Sequence, residues 1–228
     1  MPEHVSSAAI VLAAGASRRM GRNKMLIRVD GESLVRRAVR RAILAQLSPV
    51  IVVVGHEPEQ VRSELVGLAC ECVVNRDFAG PTSASLHRGL EALGHKVDSA
   101  VLLLADMPFV TVAMLQDLAR VARDTPAPLA ASRYGDVLAP PLLFRRSLFD
   151  ELRAWHGEGC GKQVVLQHRH EAVYLDWPAA ALTDIDTPKD LAALGAADAD
   201  RPDSVPPDIR DALPVVPFRA HRHATIGS

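Results

Sequence analysis

An α/β fold, a doubly wound and mostly parallel sheet sandwiched by helices, is predicted from three features of this sequence. Short apolar runs such as Val50–Val54 and Ala100–Leu104 show no polar alternation, so both faces of each strand must be covered. Amphipathic helical stretches recur between these runs, at the spacing of strand–helix units. At 228 residues the chain is long enough to bury a sizeable core as one domain.

The first strand is expected over Ala8–Ala14. Leu26-Ile27-Arg28-Val29 followed by Asp30-Gly31 reads as a brief extended piece and a turn. Ser33 is placed as the N-cap of a helix with apolar residues Leu34, Val35, Ala38, Ile43 and Leu44 at helical spacing. Its stripe of Arg36, Arg37, Arg40 and Arg41 reads as a solvated face. Val50–Val54 is a β-branched strand ending at Gly55-His56, and Pro58 opens the next helix in its first turn. A third strand, Cys70–Val74, leads into Asn75–Pro81, and Thr82 or Ser83 is the expected cap of a helix reaching Leu93. The fourth strand, Ala100–Leu104, runs into Ala105-Asp106-Met107-Pro108 before a helix over Val112–Arg123.

The second half is less regular. Strands are expected at Leu129–Ser132 and Pro141–Phe144, with room for an antiparallel member, and at Val173–Leu175. Helices over Ser147–Trp155 and Lys162–His168 flank the glycine-rich Gly157–Gly161, and Leu182–Asp186 precedes a helix opened by Thr187-Pro188. The resulting division is a flexible N-terminus (1–7), one domain (8–195) and a flexible Pro/Ala/Asp-rich tail (196–228) without periodicity.

A formal net charge of −1 gives no global excess of basic charge to neutralise nucleic acid. No apolar run approaches the roughly 18 residues of a membrane span, and the first residues lack a signal core, so a cytoplasmic protein off the membrane is expected. Cys70, Cys72 and Cys160 make neither a disulfide framework nor a zinc set, and read as small apolar residues. The histidines His56, His87, His156, His168 and His170 lack the spacing of a metal set.

In an open parallel sheet, ligands bind beyond the carboxyl ends of the strands. Three chemically loaded loops leave such ends: Gly15–Lys24, Asn75–Ser85 and Asp106-Met107-Pro108. The first is neither a dinucleotide fingerprint nor a Walker A loop, because five residues separate Gly15 from Gly21 and two more separate Gly21 from Lys24. Its glycines allow a sharp turn and close backbone approach, and Arg19 and Lys24 suit phosphate oxygens. Asp106 is either a helix cap or a ligand for a hard cation, and Asp184 with Asp186 forms a second acidic loop. Together these loops favour a Mg²⁺-polyphosphate site. No G-x-S-x-G nucleophile elbow occurs.

Leu12-Ala13-Ala14-Gly15-Ala16-Ser17-Arg18-Arg19-Met20-Gly21-Arg22-Asn23-Lys24 resembles the L-A-[AG]-G-x-S-x-R-M-G-x-x-K signature of MobA-like nucleotidyltransferases. Leu104–Val110 resembles the aspartate loop of that family, and Asp184-Ile185-Asp186-Thr187-Pro188-Lys189-Asp190-Leu191 its closing D-I-D-T-P-x-D-L. The likeness runs from about residue 8 to 195 and implies a Rossmann-like nucleotidyltransferase fold. Within the family the chain looks most like the molybdenum cofactor cytidylyltransferases, because Ala14 stands where guanylyltransferases usually carry a second glycine.

The resemblance implies a nucleotide site built from Leu12, Ala13, Ala14, Gly15, Ser17, Arg18, Arg19, Gly21, Lys24, Asn75, Ser83 and Ser85. It further implies Mg²⁺ on Asp106 with Asp184 or Asp186, and catalytic roles for Arg19, Lys24 and Asp106. The expected reaction is CMP transfer from CTP to the phosphate of molybdopterin, with release of pyrophosphate and delivery of the product to a molybdoenzyme. Two segments depart from the pattern near the acceptor: Ala139–Phe144 replaces G-[HN]-P before phenylalanine, and Gly157–Lys162 replaces G-D-x-G-A-R. Other readings are transfer from GTP or another NTP, a different phosphorylated acceptor, and a noncatalytic molybdenum-cofactor chaperone.

Overall fold

The computed structural model describes residues 6–15, 21–94 and 97–182. Their elements, in chain order, begin with β1 (Ser7–Ala13), β2 (Arg28–Val29), β3 (Glu32–Ser33), α1 (Leu34–Leu44) and β4 (Val50–Val54). Next come α2 (Pro58–Glu64), β5 (Glu71–Val74), α3 (Thr82–Ala92), β6 (Ser99–Leu104) and α4 (Val112–Asp124). The last are β7 (Leu129–Tyr134), β8 (Val137–Arg145), α5 (Phe149–Ala154), α6 (Cys160–Gln167) and β9 (Val173–Trp177). Among the described residues they form a seven-stranded sheet ordered β5-β4-β1-β6-β8-β7-β9, and β2 and β3 make a separate small hairpin. From β5 to β6 every pairing is parallel. Strand β8 runs against both its neighbours, and β7 pairs in parallel with β9.

Strand β1 shows why an apolar run can be a strand with no alternation. Ala9, Val11 and Ala13 enter one core with Val35 and Val39 of α1 and Leu115 and Leu118 of α4. Ala8, Ile10 and Leu12 enter the other, with Leu86 and Leu90 of α3, Leu152 of α5 and Val164 of α6. Successive side chains point to opposite faces, so two helical layers need two apolar sets. Burying each Val, Leu or Ile contributes about 1.5–3 kcal/mol. Helix α3 lies so close to β1 that a Cβ on Gly89 would fall 2.4 Å from Ile10 Cγ2.

Four local expectations change. Ser6 and Ser7, assigned to a flexible N-terminus, are tied down: Ser6 N donates to Asp98 Oδ2 at 2.8 Å, and Ser7 opens β1. The hydrogen bond to Asp98 stands just before β1, which starts one residue earlier than its apolar content marks, at Ser7. Neither Thr82 nor Ser83 caps α3, whose N-cap is Pro81; their hydroxyls are used across the fold, on Glu158 and Gly157. Helix α6 starts at Cys160 rather than Lys162, because Gly159 takes the left-handed turn before it.

The arginine stripe of α1 is not a solvated face. Arg36 donates to Glu64 O (2.6 Å), Arg37 to Val29 O (3.3 Å) and Arg40 to the Glu32 carboxylate. Arg41 is 6% exposed and donates to Pro108 O and Val110 O. A long stem and a forked head let arginine bury its methylenes while satisfying distant carbonyls. Arg145 does the same for the C-terminal end of α4, donating to Ala122 O and Thr125 O, the end that favours positive charge. The N-terminus before Ser6 and the tail from 196 onward lie outside the described residues.

Candidate functional site

The strand order reverses beside β1. After β1 the chain moves outward to β4 and β5, then crosses to β6 on the other flank of β1. That reversal opens a crevice at the carboxyl ends of β1 and β6. Leu12 pairs with Leu104, so Ala14-Gly15 and Ala105-Asp106 emerge side by side. Ala105 N donates to Leu12 O at 3.1 Å and closes the seam. On the other flank His56 N donates to Ala14 O at 3.4 Å. Leu12, Ala13 and Ala14 are buried, whereas Gly15 is exposed at the mouth.

Lys24 and Asp106, 82 residues apart, form an ion pair in this crevice, their side chains 14% and 15% exposed. Lys24 opens a short 3₁₀ turn, Lys24–Leu26, whose cap is Asn23. The Asn23 amide accepts from Met25 N at 3.1 Å and donates to His56 O at 3.0 Å, fastening the lysine turn to the end of β4. Gly21 holds φ +65°, a conformation that suits glycine and turns the chain into this segment. Asp106 is not the cap of α4. Thr111 does that, its hydroxyl accepting from Met114 N at 3.2 Å. The carboxylate of Asp106 is therefore committed to the crevice.

Asn75 and Ser85 are bonded to each other at the end of β5 and the start of α3, and Ser83 of the same helix is bonded elsewhere. The buried Asn75 donates from Nδ2 to Ser85 Oγ (3.0 Å) and accepts from Asp77 N (2.9 Å). Ser83 Oγ accepts from Gly157 N at 3.0 Å, and Ser83 N donates to Gly157 O at 3.3 Å. Thr82 donates from N and Oγ1 to the Glu158 carboxylate. The start of α3 is thus latched to the loop before α6. Gly55 is required here, since a Cβ would lie 2.3 Å from Phe78 Cβ and 2.7 Å from Ala14 O.

Ser17, Arg18 and Arg19, and likewise Asp184 and Asp186, lie outside the described residues. Among those described, no three His, Cys, Asp or Glu side chains gather as a metal site. A single hard carboxylate facing a lysine still fits Mg²⁺, which commonly binds through one or two carboxylates plus substrate phosphates and water. Two of the described nucleophilic side chains are held protonated by burial. Burial beside Cys70 pushes the Cys72 thiol up to about 11, and burial also raises Tyr134, whose hydroxyl donates to Pro140 O. Among the described residues no helix is long and apolar enough to cross a membrane.

Sequence reasoning passed over Asn23, Arg41 and Glu158. Asn23 carried a signal, an asparagine immediately before a helical turn. Arg41 carried none, since its neighbours in the stripe are the same residue type.

The model of the MobA-like NTP transferase domain family matches residues 9–173. The "Purine catabolism protein PucB" of Bacillus subtilis (strain 168) is 28% identical over 195 residues, 79% of this chain and 92% of that protein. A mycobacterial protein (Mycobacterium bovis and Mycobacterium tuberculosis) named "Probable molybdenum cofactor guanylyltransferase" is 33% identical over 185 residues, 75% of this chain and 84% of its own. The crystal structure of Rv0371c from Mycobacterium tuberculosis H37Rv superposes with a TM-score of 0.75 at 27% identity, covering 83% of this chain and 97% of that one. Rv0371c has also been solved as a complex with manganese, with a TM-score of 0.69 at 26% identity, covering 83% of this chain and 98% of that one.

Proposed function

The chain belongs to the MobA-like NTP transferase domain family, and on that premise we propose that it transfers CMP from CTP to the phosphate of a molybdopterin-type acceptor, releasing pyrophosphate. The observation that carries this reading is the Lys24–Asp106 pair at the strand-order reversal, with buried Ala14 at the end of β1 beside it. An anionic acceptor oxygen attacks the α-phosphorus and the bond to the β-phosphate breaks. The attacking phosphate monoester is already ionised near neutral pH, so the chain need supply no base.

The residues then have charge to place. Lys24 would meet the triphosphate, and moving its ammonium onto phosphate oxygens would release the Asp106 carboxylate. Asp106, with Asp184 or Asp186 as partner, would hold Mg²⁺, and Arg19 would take a phosphate edge. A bound divalent ion supplies Lewis-acid stabilisation of the charge on the α-phosphate and departing pyrophosphate. Manganese in Rv0371c supports a divalent ion in this fold. The backbone of Ala14 and Gly15 would help to fix the nucleotide so that the acceptor oxygen and the departing pyrophosphate lie in line about the α-phosphorus, and such orientation lowers the barrier alongside charge stabilisation.

Guanylyl transfer is the second reading, favoured by the name of the mycobacterial relatives at 33% identity. Pyrophosphate release across the four NTPs, with Mg²⁺ and with or without molybdopterin, separates the two. CTP alone supporting acceptor-dependent release is the expected result. Release with GTP alone would overturn the cytidylyl assignment. Tight molybdenum-cofactor binding with no release under any NTP would point to a cofactor chaperone. Ala14→Gly is expected to relax the preference toward GTP.

A further inference from the structure

We infer that Arg41 is a positioning residue for the reaction, holding the turn that presents Asp106. The inference rests on the reading of Asp106 as a metal-holding carboxylate. Arg41 sits in the last turns of α1 at 6% exposure, an unusual place for a guanidinium. It lines a small cavity together with Leu34, Ala38 and Leu104, and Nη1 donates to Pro108 O at 2.5 Å and to Val110 O at 2.7 Å. Burying a charge is expensive unless hydrogen bonds offset it, and the two from Nη1 both go to one turn of backbone.

That turn has three anchors. Ala105 N is bonded to Leu12 O at its start, and Thr111 caps α4 at its end. Between them, Val110 N reaches Met107 O only at 3.4 Å, so the internal bond of the turn is weak. Arg41 supplies the middle anchor, two residues beyond Asp106. Without it, the backbone from Asp106 to Val110 keeps its two end anchors, the weak internal bond and the packing of Met107 and Val110, but loses the two hydrogen bonds at Pro108 O and Val110 O. The Asp106 carboxylate must meet a metal once Lys24 has moved to phosphate, so a loose turn should weaken metal use before it weakens nucleotide binding.

The test compares wild type, Arg41→Met, Arg41→Lys and Asp106→Ala by pyrophosphate release against Mg²⁺ concentration, with amide hydrogen exchange on each. A misplacement of about 1 Å can cost about 10²-fold, so Arg41→Met is expected to lose about 30- to 100-fold in kcat. Its half-saturating Mg²⁺ should rise about tenfold while the KM for nucleotide stays within about threefold, and Arg41→Lys should recover part of both. Faster exchange should be confined to residues 105–111. Unchanged Mg²⁺ dependence, or exchange rising across the whole sheet, would overturn the inference and leave Arg41 a structural residue. If Arg41→Met does not fold, Arg41→Lys decides by the same criteria at smaller amplitude. Near wild-type turnover in Asp106→Ala overturns the assignment of Asp106 and the inference built on it. An inactive Asp106→Ala beside an Arg41→Met of unaltered Mg²⁺ dependence overturns the inference alone.

Discussion

The two halves of the sheet use their strands differently. In the half from β5 to β6 every strand points the same way, so every carboxyl end opens on one edge: Ala14-Gly15, Gly55-His56, Asn75 and Asp106. In the other half β8 is reversed, and only β7 and β9 deliver ends to that edge. The parallel half concentrates polar groups at a single crevice, whereas the mixed half supplies a wall. The halves are joined at that edge by the Ser83–Gly157 and Thr82–Glu158 bonds, so the wall is fastened to the parallel half at the start of α3. The segments that depart from the family pattern, Ala139–Phe144 and Gly157–Lys162, both belong to the mixed half.

The largest expected effect breaks the comparison at its centre. If the parallel half carries the chemistry, Asp106→Ala should lower pyrophosphate release by about 10²–10³-fold or more while preserving the circular dichroism spectrum. The fold should survive because Lys24, 14% exposed, can swing its ammonium to water once unpaired. Asp106→Ala with near wild-type kcat would remove the metal assignment. Chelation with EDTA should abolish release in the wild type, restored by Mg²⁺ or Mn²⁺.

A second experiment asks whether the halves differ in rigidity. Gly89→Ala on α3 forces a methyl to 2.4 Å from Ile10 Cγ2 on a central strand, an overpacking expected to cost about 1–3 kcal/mol by denaturant melts. Gly161→Ala on α6 meets Leu102 Cδ2 at 3.1 Å and Leu142 Cδ1 at 3.3 Å, ends of flexible side chains, and should cost less than about 1 kcal/mol. Equal losses in the two variants would contradict a tighter fit in the parallel half.

How much of this was legible follows the same division. Val50–Val54 and the strand ending at Leu104 could be read directly, because strands covered on both faces need unbroken apolar residues, and helices between them set the direction. The convergence of Lys24 and Asp106 followed from that order, since loops after adjacent parallel strands share an edge. Strand β8 was read only as Pro141–Phe144, whereas it spans Val137–Arg145; its first residues are only half-buried or exposed, and only pairing with Arg133 and Tyr134 extends it. Arg41, Asn23 and Glu158 were hidden for another reason. Each acts through backbone groups or side chains tens of residues away, and no local spacing records that. The arginines of α1 show the limit most clearly, for they form one stripe in sequence but have a different partner in each case.

The smallest expected effect probes the outer wall of the mixed half. His168, at the end of α6, bonds Glu151 of α5 through Nε2 at 2.7 Å and Glu171 through Nδ1 at 3.0 Å. The Glu151 contact first, then Glu171, raises its pKa above the ordinary 6.5. A raised folded pKa means that the clamp contributes fully below the unfolded value and fades as pH climbs through the folded one. Wild type should therefore exceed His168→Gln in Tm by the most at about pH 6, with the gap closing toward about pH 9. The gap itself should be small, a few degrees at most, because the group is partly exposed and screened by solvent. Pyrophosphate release by His168→Gln at pH 7.5 should match wild type, since the clamp joins α5 to α6 and reaches none of the groups in the crevice. A pH-independent gap would mean that His168 acts by packing alone, whereas a loss of turnover would carry chemistry into the half that is here assigned only a wall.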